Sequence, residues 1–264
     1  MGGGDFADFV VVVTGASTGL GRAIAVETAA RGAKVVIVNY ARSAQEAQET
    51  ARRVEAEGAQ AILVQGDVSS DDDCRTIAAA AAPFGRIDAL FNNAGTTKFA
   101  AHRDLDAISA QDFLDIYAVN VVGGYQMVRA CRSLLEAAPR PGAVVNTSSI
   151  AGTTGIGSSV PYAASKGALN TMTMSLARAL APKIRVNAIC PGFIDTPWFE
   201  KGATAATTDK LREAARANTP LGVASQPEDI AASAAFLASP ASRHVTGEIL
   251  HVDAGHHLGF ARRR

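Results

Sequence analysis

Three residues able to move a proton lie close together in one stretch of the chain: Ser149, Tyr162 and Lys166. A short apolar run, Gly142-Ala-Val-Val-Asn146, ends in the hydroxyl residues Thr147, Ser148 and Ser149, which suits the exposed carboxyl end of a buried strand. Tyr162 follows thirteen residues after Ser149, and Lys166 stands four positions further on. That spacing is close to one helical turn, so phenol and ammonium project from the same helix face. Opposite charge favours the phenolate, which predicts a tyrosine that ionises more easily than a free one. A proton donor and acceptor working near neutral pH needs that help. Either residue alone reads equally as surface packing; the pair with an upstream serine at a strand end points to chemistry.

These groups require a strand ahead of Ser149 and a helix under Tyr162 and Lys166, and the chain repeats that alternation from its start. Phe9-Val-Val-Val-Val13 is a β-branched run bounded by turn residues, hence a buried strand. It runs into Thr14-Gly15-Ala16-Ser17-Thr18-Gly19-Leu20-Gly21 and then a helical pattern from Arg22 to Glu27. Strand, glycine turn and helix aim backbone N–H groups and a helix N-terminus at a pyrophosphate. The glycines serve a tight turn and close backbone approach to the phosphate. A second strand, Lys34 to Asn39, ends in a neutral amide. A dinucleotide fold preferring NAD often places Asp or Glu there for the ribose 2′-hydroxyl. The stretch Asn39-Tyr40-Ala41-Arg42-Ser43 instead offers groups that accept a 2′-phosphate, which a carboxylate would repel, and this favours NADP(H) over NAD(H). The plainer reading of Arg42 is a solvated residue ahead of the next helix.

The pattern continues with a helix over 44–57, a strand over 61–65 ending at Asp67-Val68, and an alanine-rich helix over 71–82. A fourth strand over 88–91 ends in Asn92-Asn93-Ala94-Gly95. Asp67 can accept bonds from an adenine ring and Asn93 can pin a neighbouring strand end, although both also suit plain loop polars. A long helix over 111–138 carries Asn120 midway, where a poor helix former inside an apolar stretch either bends the helix or binds an internal water. The helix of Tyr162 runs on to about Leu180, a strand spans 184–190, and Pro191-Gly192-Phe193-Ile194-Asp195-Thr196 follows. Residues 197–221, with Trp198, Phe199 and a weak helix near 209–217, form a long loop of the kind that closes active sites, so a substrate lid is expected at about 193–221. Trp198 suits a core anchor equally. A helix over 227–238 and a strand over 248–252 complete the chain. Strands alternating with helices of this length predict an α/β fold: one domain, a doubly wound Rossmann arrangement with a seven-stranded, mainly parallel sheet and helices on both faces.

Composition bounds the function classes. The chain has 264 residues, 48% of them hydrophobic and 19% charged, so a sizeable core is expected and disorder is not. Lys plus Arg and Asp plus Glu balance at 25 each, which gives no electrostatic case for nucleic acid or an acidic membrane. Cys74, Cys131 and Cys190 lie far apart and read as buried thiols in a reducing compartment, without a disulfide framework or zinc site. The start, Gly2-Gly3-Gly4 followed by acids, is no positive leader, and no apolar run approaches membrane-spanning length. A cytoplasmic protein without bound metal is expected.

The chain resembles the short-chain dehydrogenase/reductase superfamily over nearly its whole length. The resemblance rests on Thr14-Gly15-x-x-x-Gly19-x-Gly21, Asn92-Asn93-Ala94-Gly95, Asn120, Ser149, Tyr162-x-x-x-Lys166 and Pro191-Gly192, in order and at the family's spacing. It implies a Rossmann fold, usually a homotetramer or homodimer, with the cofactor at the carboxyl ends of the strands. It also implies roles. Tyr162 is then the acid/base, Lys166 lowers its pKa and holds the nicotinamide ribose, Ser149 orients the substrate oxygen, and Asn120 holds a water. Gly15, Ser17, Thr18, Gly19, Leu20 and Gly21 contact the cofactor phosphates and ribose. Asp67 and Val68 hold adenine, Asn93, Ala94, Gly95 and Thr147 the ribose side, and Pro191, Gly192, Ile194 and Thr196 the carboxamide end. Within the family the pattern is most similar to 3-oxoacyl-[acyl-carrier-protein] reductases and glucose dehydrogenase-like enzymes. No basic residue stands at Ser17 or Thr18, where many NADP-using members carry one. The ending Val252-Asp253-Ala254-Gly255 resembles enoyl reductases, but those carry a wider Tyr–Lys spacing, so carbonyl chemistry is expected.

The function so implied interconverts a ketone and a secondary alcohol, with a 3-oxoacyl thioester as the first substrate and a sugar or other small alcohol as the alternative. Thr96, Thr97, Phe99, the 151–156 loop and the Trp198-Phe199 region are the expected pocket. Two other classes compete. One is a cofactor-binding sensor without turnover, which has no need of the Tyr–Lys pair. The other is a sugar-nucleotide epimerase relative, which the glycine spacing disfavours.

Overall fold

Four consecutive valines, Val10–Val13, form the central strand β1, and all four are buried. Alternate side chains leave a strand on opposite faces, so burial of all four requires packing on both sides of the sheet. Val11 and Val13 join one apolar cluster; Val10 and Val12 join the other. In the computed structural model, which describes residues 4–198 and 205–259, six further strands flank it: β2 (Val35–Tyr40), β3 (Gln60–Gln65), β4 (Ala89–Asn92), β5 (Gly142–Thr147), β6 (Ile184–Pro191) and β7 (Ile249–Val252). Their order is β3-β2-β1-β4-β5-β6-β7, and every neighbouring pair is parallel. The expected "mainly parallel" sheet is therefore wholly parallel.

Helices cover both faces. Helices α1 (Gly19–Ala30) and α2 (Ala44–Ala56) lie on one side with Leu20, Ile24, Ala47 and Val54 inward. On the opposite face α3 (Asp71–Ala79) contributes Cys74 and Ile77. Ser70 caps α3 by accepting the Asp73 N–H, and three aspartates in its first turn complement the helix dipole. The chain then crosses β1 to begin β4, and at that reversal the carboxyl ends of β1 and β4 diverge into a crevice.

The single long helix expected over 111–138 is instead three segments. Helix α4 (Ala110–Tyr117) starts at a reciprocal Ser109/Asp112 capping box, a π-turn occupies Ala118–Gly123, and α5 (Gly124–Glu136) continues. A π-turn adds a residue to one helical turn and redirects the side chains within it. Gly123 permits the close approach that follows, because a Cβ there would lie 2.8 Å from a Val68 side-chain carbon. The short α6 (Ala151–Thr154) precedes α7 (Val160–Leu180), which carries Tyr162 and Lys166. Helix α8 (Ala205–Asn218) is longer than the weak helix expected, and α9 (Pro227–Ala238) returns to the first face with Ile230, Ala234 and Leu237 inward. Among the described residues no helix is long and apolar enough to cross a membrane.

Candidate active site

The glycine turn is shaped by hydrogen bonds from three strands. Gly15 and Gly19 adopt φ +61° and +54°, where a side chain would be strained. A Cβ on Gly15 would lie 2.9 Å from the Ala94 backbone. The Thr14 hydroxyl accepts the N–H groups of Asn93 and Ala94 at 3.0 Å, and the Asn93 amide donates to the Thr14 and Gly15 carbonyls at 3.1 Å. Asn93 thus performs the strand-end pinning expected of it. Thr18, the residue before α1, makes no side-chain cap, and the first turn of α1 holds no acid. The opening N–H groups of α1 are left to face an anion, which fits a dinucleotide pyrophosphate.

Asn39 lines the cleft, but its side-chain amide is committed to the glycine turn. Its side chain is buried, with Oδ1 accepting the Gly15 N–H at 3.1 Å and Nδ2 donating to the Val64 and Gly66 carbonyls. The amide has no donor left for a 2′-phosphate and instead fastens the glycine turn to β2 and β3. The Tyr40 side chain points away from the cleft. Side chains alternate along β2, and the Tyr40 ring packs against the first core cluster, outside the cleft lining. Arg42 and Ser43 do line the cleft. So does Asp67, whose carboxyl is held below its ordinary value by bonds from the Ser69 N–H and hydroxyl, with the charge of Arg42 adding to them.

At the other end of the crevice the proton-moving residues converge. Lys166 Nζ donates to the Thr147 carbonyl at 2.7 Å and lies 5.6 Å from the centre of the Tyr162 ring. The Ser149 side chain favours ionisation of the nearby phenol, and its hydroxyl accepts the Ala151 N–H at 3.1 Å. The electrostatics reverse the expectation for the tyrosine. Desolvation pushes the phenol up to about 12, against the opposing influence of the Ser149 side chain, and pushes the Lys166 ammonium down to about 8. Removal from water is the largest influence on both groups. Asn120, on the π-turn, accepts the Thr96 N–H at 2.8 Å and donates to the Thr96 carbonyl and the Ser165 hydroxyl at 3.0 Å. It ties the strand-end loop to α7 and does not itself line the cleft.

One cleft of about 430 Å³ joins these parts. Gly15, Ser17, Thr18, Gly19, Leu20, Gly21, Val68, Asn93, Ala94, Gly95 and Thr147 line it, together with Ser149, Tyr162, Lys166, Pro191, Gly192, Ile194 and Thr196. Of the expected substrate pocket, Thr96 and Trp198 line it too; the Trp198 and Tyr162 rings lie 6.3 Å apart. Thr97 instead pairs with the Ser158 hydroxyl at 2.6 Å, and Ala151 is buried. Phe199 lies outside the described residues. The reading of the residues missed Ala41, Gly66, Val119 and Ser148, which line the cleft without a chemical signature in their types. It also missed Thr14, whose hydroxyl position only the folded strand ends reveal. Asp195, between the two expected carboxamide residues, is bound by Arg212 of α8 at 2.7 Å, which anchors the segment after β6 to the start of the cleft wall.

Comparison with known proteins agrees over the same span. Residues 15–257 match a family model described as enoyl-(acyl carrier protein) reductase. A ketoacyl reductase assigned to the granaticin polyketide synthase of Streptomyces violaceoruber is 40% identical over 250 residues, covering 94% of this chain and 96% of that one. A crystal structure from Burkholderia xenovorans, assigned as a short-chain dehydrogenase/reductase, superposes with a TM-score of 0.87 at 38% identity, covering 96% of this chain and 99% of that one. The aldohexose dehydrogenase of Thermoplasma acidophilum, in ligand-free form, superposes with a TM-score of 0.84 at 29% identity over 100% of this chain and 99% of its own.

Proposed function

Because the chain belongs to the short-chain dehydrogenase/reductase family and is an oxidoreductase of that type, we propose that it reduces the ketone of a 3-oxoacyl thioester with NADPH. The observation that carries this reading is the convergence of Ser149, Tyr162 and Lys166 at one end of a cleft whose other end is the open N-terminus of α1. Bound nicotinamide supplies the hydride. The protein's share is proton delivery and orientation. With its phenol pushed up to about 12, Tyr162 is protonated at neutral pH, the form that donates a proton to the oxygen of a carbonyl being reduced. The Ser149 hydroxyl, beside that phenol in the cleft lining, meets the same oxygen and fixes the carbonyl's direction. Lys166 holds a positive charge beside the ring, where it stabilises the negative charge left on the phenolate oxygen once the phenol has given up its proton. Asn120 keeps the Thr96 loop and α7 in register under these groups.

The α1 N-terminus would hold the pyrophosphate, Asp67 and Val68 the adenine, and Ile194 and Thr196 the carboxamide. Arg42 and Ser43 supply the preference for the 2′-phosphate, a task Asn39 does not share. The Tyr–Lys spacing of four supports carbonyl over enoyl reduction, and the ketoacyl reductase relative supports the thioester. Of the lid expected at about 193–221, residues 199–204 lie outside the described residues; Ile194, Thr196, Pro197 and Trp198, which line the cleft, are its part that closes over the substrate. Exposed Leu114, Val122, Tyr125 and Met174 on the α4–α5 rod and α7 support assembly with further copies of the chain, a homotetramer in this reading. The aldohexose dehydrogenase neighbour supports a second reading, oxidation of a free sugar.

The test is NADPH oxidation by the purified protein with an acetoacetyl thioester, run beside NADH and beside glucose with either oxidised cofactor. Turnover with NADPH and thioester, lowered by at least about a hundredfold in Tyr162→Phe, is the expected result. Full turnover in Tyr162→Phe would sink the mechanism; glucose oxidation without thioester reduction would select the second reading.

A further inference from the structure

Beyond β7 a cluster of side chains reaches back to the serine turn without entering the cleft. Asp253 is buried, and its carboxylate accepts the Gly255 N–H at 3.0 Å, the His257 N–H at 2.7 Å and the His257 Nδ1 at 2.9 Å. That fixes the His257 ring, which stacks on His251 of β7 with centroids 4.3 Å apart and planes 26° apart. The His251 ring is thereby held on one flank, and its Nε2 hydrogen-bonds the Thr153 hydroxyl at 3.0 Å. Thr153 belongs to α6, the four-residue turn that begins two residues after Ser149 and is anchored to it by the bond from the Ala151 N–H to the Ser149 hydroxyl. The same cluster abuts other edges of the site. A Cβ on Gly192 would lie 3.0 Å from Asp253, and the Leu221 N–H, at the end of the expected lid, donates to the Ala254 carbonyl.

We propose that His251 is a positioning residue for Ser149: braced by His257 and Asp253, it holds Thr153 and so fixes the turn that aims the serine hydroxyl at the phenol. The inference rests on the proposed carbonyl chemistry. A short helix with one turn has little stability of its own, so beside its backbone contact with α7 the side-chain bond from the neighbouring strand sharpens how its residues are placed. Misplacement of a reacting group by a fraction of an ångström is enough to slow a reaction while leaving cofactor binding at the far end of the cleft intact.

The experiment is a double-mutant cycle with His251→Ala and Thr153→Val, read as kcat, thioester KM and NADPH KM, with hydrogen exchange of the α6 amides measured on the same proteins. Each single variant is expected to lose about tenfold in kcat with NADPH KM held within about twofold. The double variant is expected to lose no more than either single, because both remove one bond. His251→Gln, whose amide reaches the same hydroxyl, is expected to restore most of the rate, and exchange at residues 151–154 is expected to quicken in His251→Ala and in Thr153→Val but not in His251→Gln. Wild-type kcat in the single variants, or losses that multiply in the double variant, would overturn the proposal. If the wild type reduced no carbonyl, the proposed function would fail; exchange would still decide the positioning, unchanged rates in His251→Ala overturning it.

Discussion

Among the described residues two cations are buried, Arg185 and Lys166, and they could hardly be treated more differently. Arg185 of β6 directs its guanidinium at the end of α9 and the loop after it. There it donates to the carbonyls of Leu237, Ala238, Ser239, Ser242 and Val245 and to the Ser242 hydroxyl. Lys166 of α7 has three N–H donors and, among the described residues, a single hydrogen-bond acceptor, the Thr147 carbonyl. Among the described residues neither cation has a carboxylate within ion-pairing distance. Burial lowers the pKa of both, yet the guanidinium remains charged at any physiological pH while the ammonium comes down to about 8. The saturated cation caps a helix C-terminus, where positive charge is favourable. The unsaturated one faces the cleft with donors to offer. The difference teaches which buried charge serves the fold and which the chemistry: the number of unmade bonds separates them where burial alone does not.

The contrast breaks most visibly at Lys166. Lys166→Met is expected to lower kcat/KM by on the order of a hundredfold, with a melting temperature equal to or above the wild type because a desolvated charge is gone. A variant that loses rate only in proportion to lost folded protein would erase the distinction. Arg185→Met is expected to do the reverse. It leaves several buried carbonyls without donors, at a cost of about 3 kcal/mol and roughly 10 °C in melting temperature, while activity per folded molecule stays the same. Arg185→Lys, with three donors for six acceptors, should fall between. Calorimetry beside active-site titration distinguishes these outcomes.

The smallest effect lies in the pH profile. The rate is expected to fall as pH rises through about 8, where Lys166 loses its proton, and the fall should move to higher pH in Lys166→Arg. Stability carries the opposite sign. The folded lysine holds its proton less tightly than the unfolded one, whose value is near 10.5, so its contribution is lost as pH falls through about 8 and regained between about 8 and 10.5. Tyr162 works against this only higher up, between its ordinary 10 and about 12. Denaturant unfolding at pH 7 and pH 9.5 should therefore show the wild type gaining on Lys166→Met.

Much of this architecture was legible in residue types alone. The valines of β1, the glycines of the turn after it and the Tyr162–Lys166 spacing are local signals whose meaning depends on a few neighbours. Those calling for distant partners were harder to read. Asn39 read as a cofactor ligand because its two carbonyl acceptors, at Val64 and Gly66, lie more than twenty residues away. The π-turn at Asn120 follows from bonds to Thr96 and Ser165, neither on the same helical segment. The phenol's upward shift was opposite to expectation because spacing reveals the ammonium next door but not how little water reaches either group.

Gly152 of α6 rests directly on α7: a Cβ there would lie 2.5 Å from the Lys166 carbonyl carbon and 2.8 Å from the Gly167 nitrogen. Backbone touching backbone leaves no side chain between them to repack, so the turn after Ser149 and the helix of Tyr162 and Lys166 travel as one block. The walls proposed to choose a substrate belong to other parts of the chain, on the Thr96 loop and around Trp198, both of which line the cleft. Chemistry and selectivity are thus inherited on separable pieces. A lineage, or an engineer, can exchange the walls freely and keep the reaction, provided position 152 stays without a side chain.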